Sequence, residues 1–213
     1  MKNAKAKKKK SVLKLPELTC DELRKILRIR CKLVLNDFAE KKYDFRYTRE
    51  KSEKLAHQER GGRKYLPPEG WAKLALAVKD KYASNKWLQK ESGWPVVYHG
   101  TRARPCIVRG IVREGFKIRG GKETAHNGSR YGQGVYCTPD PAYAVQYAKQ
   151  QKLESSEHDD EFLVVFQCRV EPDSFTVERD TNDNDSKAIW RVTDPTNLRP
   201  CAVLMSTVAP CAA

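Results

Sequence analysis

Three separated segments combine residue types that suit ligand binding. The first is YHGT at residues 98–101, where His99 and a glycine stand at the end of a predicted strand. The second runs over residues 131–148, with Tyr136 among glycines and Tyr147 in a helix opened by proline, and the third is AIWRV at residues 188–192. A lone histidine beside a glycine is usually a satisfied core residue. Together with these tyrosines, His99 is better explained by contact with a ligand.

The order and spacing of these segments resemble the catalytic domain of the poly(ADP-ribose) polymerase family. The most specific part is GQGVY at residues 132–136, followed by a short helix with a tyrosine eleven residues after Tyr136. The resemblance spans roughly residues 94–208. It implies an α+β protein with the ADP-ribosyltransferase fold related to diphtheria toxin, in which two antiparallel sheets pack together with flanking helices. It also implies NAD as co-substrate, cleaved at the nicotinamide–ribose bond through an oxocarbenium-like transition state.

The resemblance assigns a role to each matching residue. His99 would hydrogen-bond the adenosine ribose, and Gly100 would offer its backbone N–H and C=O to the nicotinamide amide. Tyr136 and Tyr147 would sandwich the nicotinamide ring between flat aromatic faces that have few rotamers to lose. Thr101 corresponds to a small hydroxyl residue near the adenosine side.

Two positions depart from the family pattern. Ala144 stands where many members have a serine that supports the nicotinamide amide, and Ile189 stands where the closing strand normally carries a catalytic glutamate. That glutamate bonds the ribose next to nicotinamide, supports the developing cation and helps activate the next ribose for chain growth. Isoleucine does none of this. The histidine–tyrosine–isoleucine pattern is therefore typical of the branch that transfers single ADP-ribose units or has lost activity.

Asp185 and Glu171 are alternative acids, although each is better explained as turn or strand-edge surface.

The elements that must position these residues follow from apolar spacing and from turn residues. Thr19 or Asp21 is predicted to cap a helix running to about Phe38, and an amphipathic helix is predicted over residues 71–82. Residues 39–64 are expected to form a loop or a short polar helix. From residue 94 onward the pattern predicts short strands with helices near residues 106–114 and 139–151, in which residues 161–170 form a buried strand and residues 188–192 and 201–208 the closing strands.

The charge of the 213-residue chain is unevenly distributed. Its net charge is +14, with +15 in residues 1–90 and −1 in residues 91–213. Residues 1–18 are predicted to be a disordered basic tail, residues 19–93 a basic, mainly helical extension, and residues 94–213 the catalytic domain. The tail is either a nuclear-localisation or phosphate-contacting arm or a solubilising segment. The asymmetry favours nucleic acid or an acidic surface as a partner.

Cysteine and histidine spacing predicts neither a metal site nor a disulfide framework. The seven cysteines form no C-x-x-C pair, and none of the four histidines lies at a zinc-ligand spacing. The basic N-terminus leads into no apolar segment, so it is not a secretory signal. No run approaches the roughly 20 apolar residues of a membrane span. These features predict an intracellular protein, nuclear or cytoplasmic, with reduced thiols and with Cys168 in the core.

The sequence thus predicts a mono-ADP-ribosyltransferase that moves ADP-ribose from NAD to a macromolecular acceptor, protein or nucleic acid, and releases nicotinamide. In the absence of the glutamate, the acceptor would supply its own carboxylate or be already nucleophilic. Two alternatives remain open. One is a pseudoenzyme that binds NAD or ADP-ribose without turnover, and the other is a nucleic-acid-binding module that uses this fold as a scaffold.

Overall fold

A computed structural model describes residues 18–101, 104–118, 131–148, 162–178 and 188–206. Across these ranges the helices are α1 (Cys20–Cys31), α2 (Arg49–Leu55), α3 (Pro105–Glu114) and α4 (Pro141–Ala148). The strands are β1 (Phe45–Arg46), β2 (Glu59–Arg60), β3 (Arg63–Lys64), β4 (Ala72–Ala75), β5 (Val96–Gly100), β6 (Val135–Cys137), β7 (Leu163–Val170), β8 (Phe175–Glu178), β9 (Ile189–Val192) and β10 (Leu198–Ser206).

The strands form two main sheets, and every strand pair in them is antiparallel. The larger sheet has the order β1-β4-β10-β7-β5, the smaller one has the order β6-β9-β8, and β2 and β3 form a separate hairpin. Strand β5 therefore lies at one edge of the larger sheet. This architecture confirms the α+β prediction of packed antiparallel sheets with flanking helices.

The core lies on both faces of the larger sheet, and residues of β7 contribute to it on each face. All eight residues of β7 are buried, which explains the nearly continuous apolar run that predicted a buried strand. On one face, Phe166 shares a core with Trp190 and Val192 of the smaller sheet and with residues of α1 and α3. On the other face, Val165 packs with residues of α4. The two sheets and helices α1, α3 and α4 are thus held together by apolar burial on the two faces of the larger sheet.

Helix α1 begins where the sequence predicts but ends earlier. Thr19 caps it through a reciprocal capping box with Glu22. The helix ends at Cys31 because Lys32 adopts the left-handed conformation, with φ of 56°, so the predicted extension to about Phe38 is wrong. Val34 and Leu35 continue the apolar spacing, yet both side chains are exposed. Leu33 and Phe38 of the same segment are buried in the core, so the apolar pattern continues past the end of the helix without helical backbone.

The helix predicted over residues 71–82 is wrong. Residues 72–75 form strand β4, which pairs with β1 on one side and β10 on the other. Three of its four residues are buried because both faces of the sheet are covered there. The apolar residues Ala72, Leu74 and Ala75 fit either a helix or a doubly buried strand, and pairing with Ala202–Met205 decided between them.

The basic region before residue 94 is built into the larger sheet. It supplies strands β1 and β4 as well as the short polar helix α2 that was one of the two expectations for residues 39–64. Arg24 of α1 holds Asp44 with two N–H···O bonds of 2.7 Å, and Asp44 also accepts a bond from the backbone N–H of Ala75 in β4. Residues on both sides of the proposed boundary at residue 94 therefore share one sheet.

The cysteines that the structure describes are free thiols. Cys168 is fully buried in the core, as predicted. Burial also raises the pKa of the Cys31 thiol to about 11, so this group packs as a small neutral side chain.

Candidate functional site

A single bridge between the two sheets brings the first two motif segments together. Tyr98 of β5 donates its N–H to the carbonyl of Thr138 at 2.7 Å, and Thr138 returns a bond of 3.0 Å to the carbonyl of Tyr98. Thr138 directly follows β6, so this pair fixes β6 alongside the free edge of β5. His99 and Tyr136 are consequently neighbours, although they are 37 residues apart in the chain.

The ring of His99 is fixed by this arrangement. Its Nδ1 lies 2.7 Å from the carbonyl oxygen of Tyr136, and its ring meets that of Phe116 edge-on, with centroids 4.8 Å apart. Because a carbonyl only accepts, Nδ1 carries the proton and Nε2 is left as an acceptor. Burial lowers the pKa of His99, which keeps the ring neutral near pH 7. The histidine is therefore set to accept a hydrogen bond from a hydroxyl group.

Gly100 presents its backbone at the edge of the sheet. In an antiparallel strand, the N–H and C=O of one residue point to the same side, and this side alternates along the chain. The groups of Tyr98 point away from β7 toward Thr138, so those of Gly100, two residues later, face the same outer edge. A backbone donor and acceptor side by side suit a carboxamide, which needs one of each.

Helix α4 lies directly against Gly100. A Cβ atom placed on Gly100 would come within 1.9 Å of the carbonyl oxygen of Ala144 and 3.0 Å of the Cβ of Tyr147. Ala144 is buried at this contact, while Tyr147 is half-buried and meets the ring of Tyr143 edge-on. The absence of a side chain at residue 100 is what lets α4 bring Tyr147 next to the end of β5.

Tyr136 lies on β6 and turns back over the glycine-rich segment. Its hydroxyl donates to the carbonyl of Gly132, and its ring centroid lies 6.5 Å from that of Tyr131. Gly132 has φ of 94°, a conformation that favours glycine, so the turn that receives this hydroxyl depends on that residue type. Burial raises the pKa of the Tyr136 hydroxyl, which therefore stays protonated at neutral pH.

Ile189 begins β9 on the same face of the smaller sheet as Tyr136. Arg191 is directly opposite Tyr136, and Ile189 shares its face because side chains two residues apart point the same way. Trp190 and Val192 point to the other face and are buried in the core. We call the face that carries Tyr136, Ile189 and Arg191 the tyrosine face.

The tyrosine face also carries an acid that the motifs did not indicate. Glu178 of β8 is directly opposite Ile189, and its Oε1 accepts a bond of 2.7 Å from Nε of Arg191. Only the register between β8 and β9 shows that this glutamate faces Ile189, and register depends on pairing rather than on local spacing. The sequence analysis predicted no strand over residues 175–178, so it gave no indication of this acid.

The two alternative acids are placed differently. Gly100 pairs with Val165 of β7, and Glu171 lies six residues further along, at the opposite end of that strand. With a rise of about 3.3 Å per residue, Glu171 is about 20 Å from Gly100, which excludes it from this group. Asp185 lies outside the described residues.

The structure thus groups the predicted site residues around the end of β5. His99 contacts Tyr136, Gly100 contacts Ala144 and Tyr147, and Thr101 follows Gly100 as a half-buried residue at the strand end. Ile189 joins the group through the pairing of β9 with β6. Within the described ranges, no cluster of three His, Cys, Asp or Glu side chains is placed to hold a metal ion.

Comparison with protein families gives one match. Residues 72–177, about half of the chain, match the poly(ADP-ribose) polymerase catalytic domain. The matched range contains every predicted NAD-binding residue from His99 to Tyr147 but ends before Ile189. A search of curated proteins found no match. None of the helices in the described part of the chain is long and apolar enough to cross a membrane.

Proposed function

Because this chain carries a poly(ADP-ribose) polymerase-like catalytic domain, whose family comprises NAD-dependent ADP-ribosyltransferases, we propose that it transfers single ADP-ribose units to a macromolecular acceptor. NAD is the co-substrate and nicotinamide the leaving group. The acceptor is a protein or a nucleic acid inside the cell.

This proposal rests on four residues that the fold brings together at the end of β5. They are His99, Gly100, Tyr136 and Tyr147. The backbone of Gly100 faces the outer edge of β5, where it can pair with the carboxamide of nicotinamide. Strand β6 and helix α4 bring Tyr136 and Tyr147 to the same strand end, which supports their role in holding the nicotinamide ring. In this proposal His99 accepts from an adenosine ribose hydroxyl through Nε2, and Thr101, half-buried two residues further along, contributes a hydroxyl on the adenosine side.

The reaction does not require a covalent bond between the protein and NAD. The bond between ribose C1′ and the nicotinamide nitrogen breaks, and its electron pair leaves with the nicotinamide, which becomes neutral. The positive charge moves to the ribose, where a nucleophile of the acceptor closes on C1′ and gives up its proton to water. The site accelerates the reaction by binding both ends of NAD while this charge develops in the transition state.

Transfer of single units, rather than a polymer, is supported by Ile189. Chain growth needs a group that activates a hydroxyl of the ADP-ribose already attached, and an aliphatic side chain at this position offers neither a charge nor a hydrogen bond. A macromolecule modified by this site would therefore carry isolated ADP-ribose units.

Turnover of radiolabelled NAD by the purified chain, alone and with added protein or nucleic acid, tests the proposal. We expect label on the acceptor as single units, and loss of turnover in Tyr136→Ala because one ring of the nicotinamide site is removed. Tyr43→Ala is the matched control, since Tyr43 is exposed and lies in the region before the motifs. Polymer on the acceptor would contradict single-unit transfer, and equal turnover in Tyr136→Ala would contradict the site.

A pseudoenzyme is the second candidate, and the identities of Ala144 and Ile189 favour it. Both positions lack the polar group that the family pattern provides, and Ala144 is buried against Gly100. This candidate predicts that NAD raises the Tm in a manner that depends on Tyr136, while no nicotinamide is released above the level of His99→Ala.

A further inference from the structure

The Glu178–Arg191 ion pair occupies a sheltered place on the tyrosine face. Nε of Arg191 and Oε1 of Glu178 are 2.7 Å apart, and the two side chains are only 21% and 18% exposed. Partial burial reduces screening by water and salt, so this pair is held more firmly than a surface pair. The carboxylate therefore has a defined position.

The register between β8 and β9 sets that position relative to the missing glutamate. Glu178 is directly opposite Ile189, so their Cβ atoms are about 4.5–5.5 Å apart on one face. The next pair along this face is Thr176 with Arg191, and Arg191 is in turn opposite Tyr136 on β6. Because Glu178 reaches Arg191, its carboxylate extends from the row of Ile189 toward the row of Tyr136.

Arg191 is itself fixed by the glycine-rich segment. Its Nη1 donates to the carbonyl of Gln133 at 3.4 Å, and its Cγ lies where a Cβ on Gly134 would be only 2.7 Å away. The arginine thus lies flat over the glycines that precede Tyr136. The charges of both Arg191 and Glu178 reach the Tyr136 hydroxyl, where the arginine lowers its pKa and the glutamate raises it. The acid and the tyrosine belong to one local environment.

We infer that Glu178, held by Arg191, supplies the carboxylate that Ile189 cannot. This inference rests on the proposed transferase function and names the group that supports the cation in it. As the C1′–nitrogen bond breaks and its electrons leave with nicotinamide, the carboxylate stabilises the charge that appears on the ribose. One of its oxygens is bound by Arg191, and the other has lone pairs for a ribose hydroxyl.

An internal carboxylate has a consequence for the acceptor. If the acceptor had to bring its own carboxylate, only acidic groups would be modified and NAD would be stable in their absence. With Glu178 in place, the cation forms without help from the acceptor. The purified chain should then hydrolyse NAD slowly without any acceptor, with water as the nucleophile and nicotinamide as the leaving group. Acceptors with a hydroxyl, phosphate or amine nucleophile also become possible.

The experiment measures nicotinamide release in wild type, Glu178→Gln and the double variant Glu178→Gln/Ile189→Glu. We expect kcat to fall about 100-fold in Glu178→Gln while KM for NAD stays within about twofold, because the lost interaction acts in the transition state. The double variant should recover at least about tenfold, since it restores a carboxylate one strand away. Glu171→Gln is the matched control, because it removes a carboxylate at the far end of β7.

The outcomes separate this inference from the proposed function. Loss in Glu178→Gln with recovery in the double variant supports the inference. Turnover that persists in Glu178→Gln overturns it and leaves the transferase function standing. A wild-type protein without turnover overturns both, and activity gained in Ile189→Glu alone would then show that this fold lacked only the carboxylate.

Arg191 would be left as a partly buried, unpaired charge in Glu178→Gln, so folding is checked through the Tm. If the variant is unfolded, Glu178→Gln/Arg191→Gln removes both charges of the pair and is read in the same way. Loss of kcat with an unchanged Tm again supports the inference, and retained kcat again overturns it.

Discussion

At the scale of single residues, the chemistry depends on which hydrogen-bonding atoms remain for a ligand after the others have formed bonds within the fold. The fold uses Nδ1 of His99 to bind the carbonyl of Tyr136, and Nε2 remains as an acceptor. It uses one side of β5 to pair with β7, and the backbone N–H and C=O of Gly100 face away from β7. Both residues could be found from the sequence, but the atoms that they offer could not.

The pKa of His99 gives a prediction at this scale. Burial holds this pKa below the ordinary value of 6.5, so as the pH falls below 6.5 the unfolded chain takes up a proton that the folded chain resists. Stability is therefore highest above pH 6.5 and decreases as the pH falls further. Protonation of Nε2 also removes the acceptor, so NAD affinity should drop about tenfold per pH unit below the folded pKa.

Thermal unfolding with and without NAD, from pH 8 to pH 5, checks this prediction. His99→Gln should bind NAD more weakly at pH 8 and show a flatter pH profile. His57→Gln replaces an exposed histidine and should keep the wild-type profile. A wild-type profile that is unchanged in His99→Gln would show that another group titrates.

At the scale of elements, the site depends on how closely α4 approaches β5. The two meet where Gly100 faces the carbonyl of Ala144, with no space for a single added carbon atom. Helix α4 also packs Val145 and Ala148 into the core on that face of the sheet. A displacement of α4 would therefore move Tyr147 and disturb the core at the same time.

Gly100→Ala tests this contact. The added Cβ would overlap the Ala144 carbonyl at 1.9 Å, so α4 must shift, and we expect a loss of about 1–3 kcal/mol in the free energy of unfolding together with loss of NAD turnover. Gly110→Ala is the control because Gly110 lies within helix α3 with no atom within 4 Å of its added Cβ. This change should stabilise the protein by about 0.5–1 kcal/mol.

Denaturant unfolding and nicotinamide release are measured on both variants. A stable, fully active Gly100→Ala protein would mean that α4 does not pack as closely as the structure indicates.

At the scale of the whole molecule, the described parts of the basic first half and of the motif-bearing second half share one core and one sheet. Leu23 and Leu27 of α1 are buried in the main core, and β1 and β4 are strands of the same sheet as β5. Residues 18–90 contain 19 Lys+Arg and 10 Asp+Glu, so part of the excess positive charge is carried on the body that holds the site. We propose that this charge delivers an acidic acceptor, most simply a nucleic acid, to the end of β5.

Deleting residues 1–60 would remove α1 and β1 and hence part of the core, so substitution of lysines is the cleaner test. We expect replacement of Lys5, Lys7, Lys8, Lys9 and Lys10 with Gln to weaken nucleic-acid binding. The slope of log affinity against log salt should fall by about 0.9 for each duplex phosphate that these lysines no longer neutralise. Nicotinamide release without nucleic acid should stay unchanged, and an unchanged salt slope would exclude these lysines from binding.

The sequence by itself determined the residue types of the site, the strands and helices that carry His99, Tyr136 and Tyr147, and the absence of a glutamate at residue 189. These features depend on local order and spacing, which the chain shows directly. Only the tertiary structure decided that residues 72–75 are a strand, that the backbone of Gly100 faces away from β7, and that Glu178 faces Ile189. Each of these depends on which strands pair and in which register, and pairing is set by burial across the whole molecule rather than by the neighbouring residues.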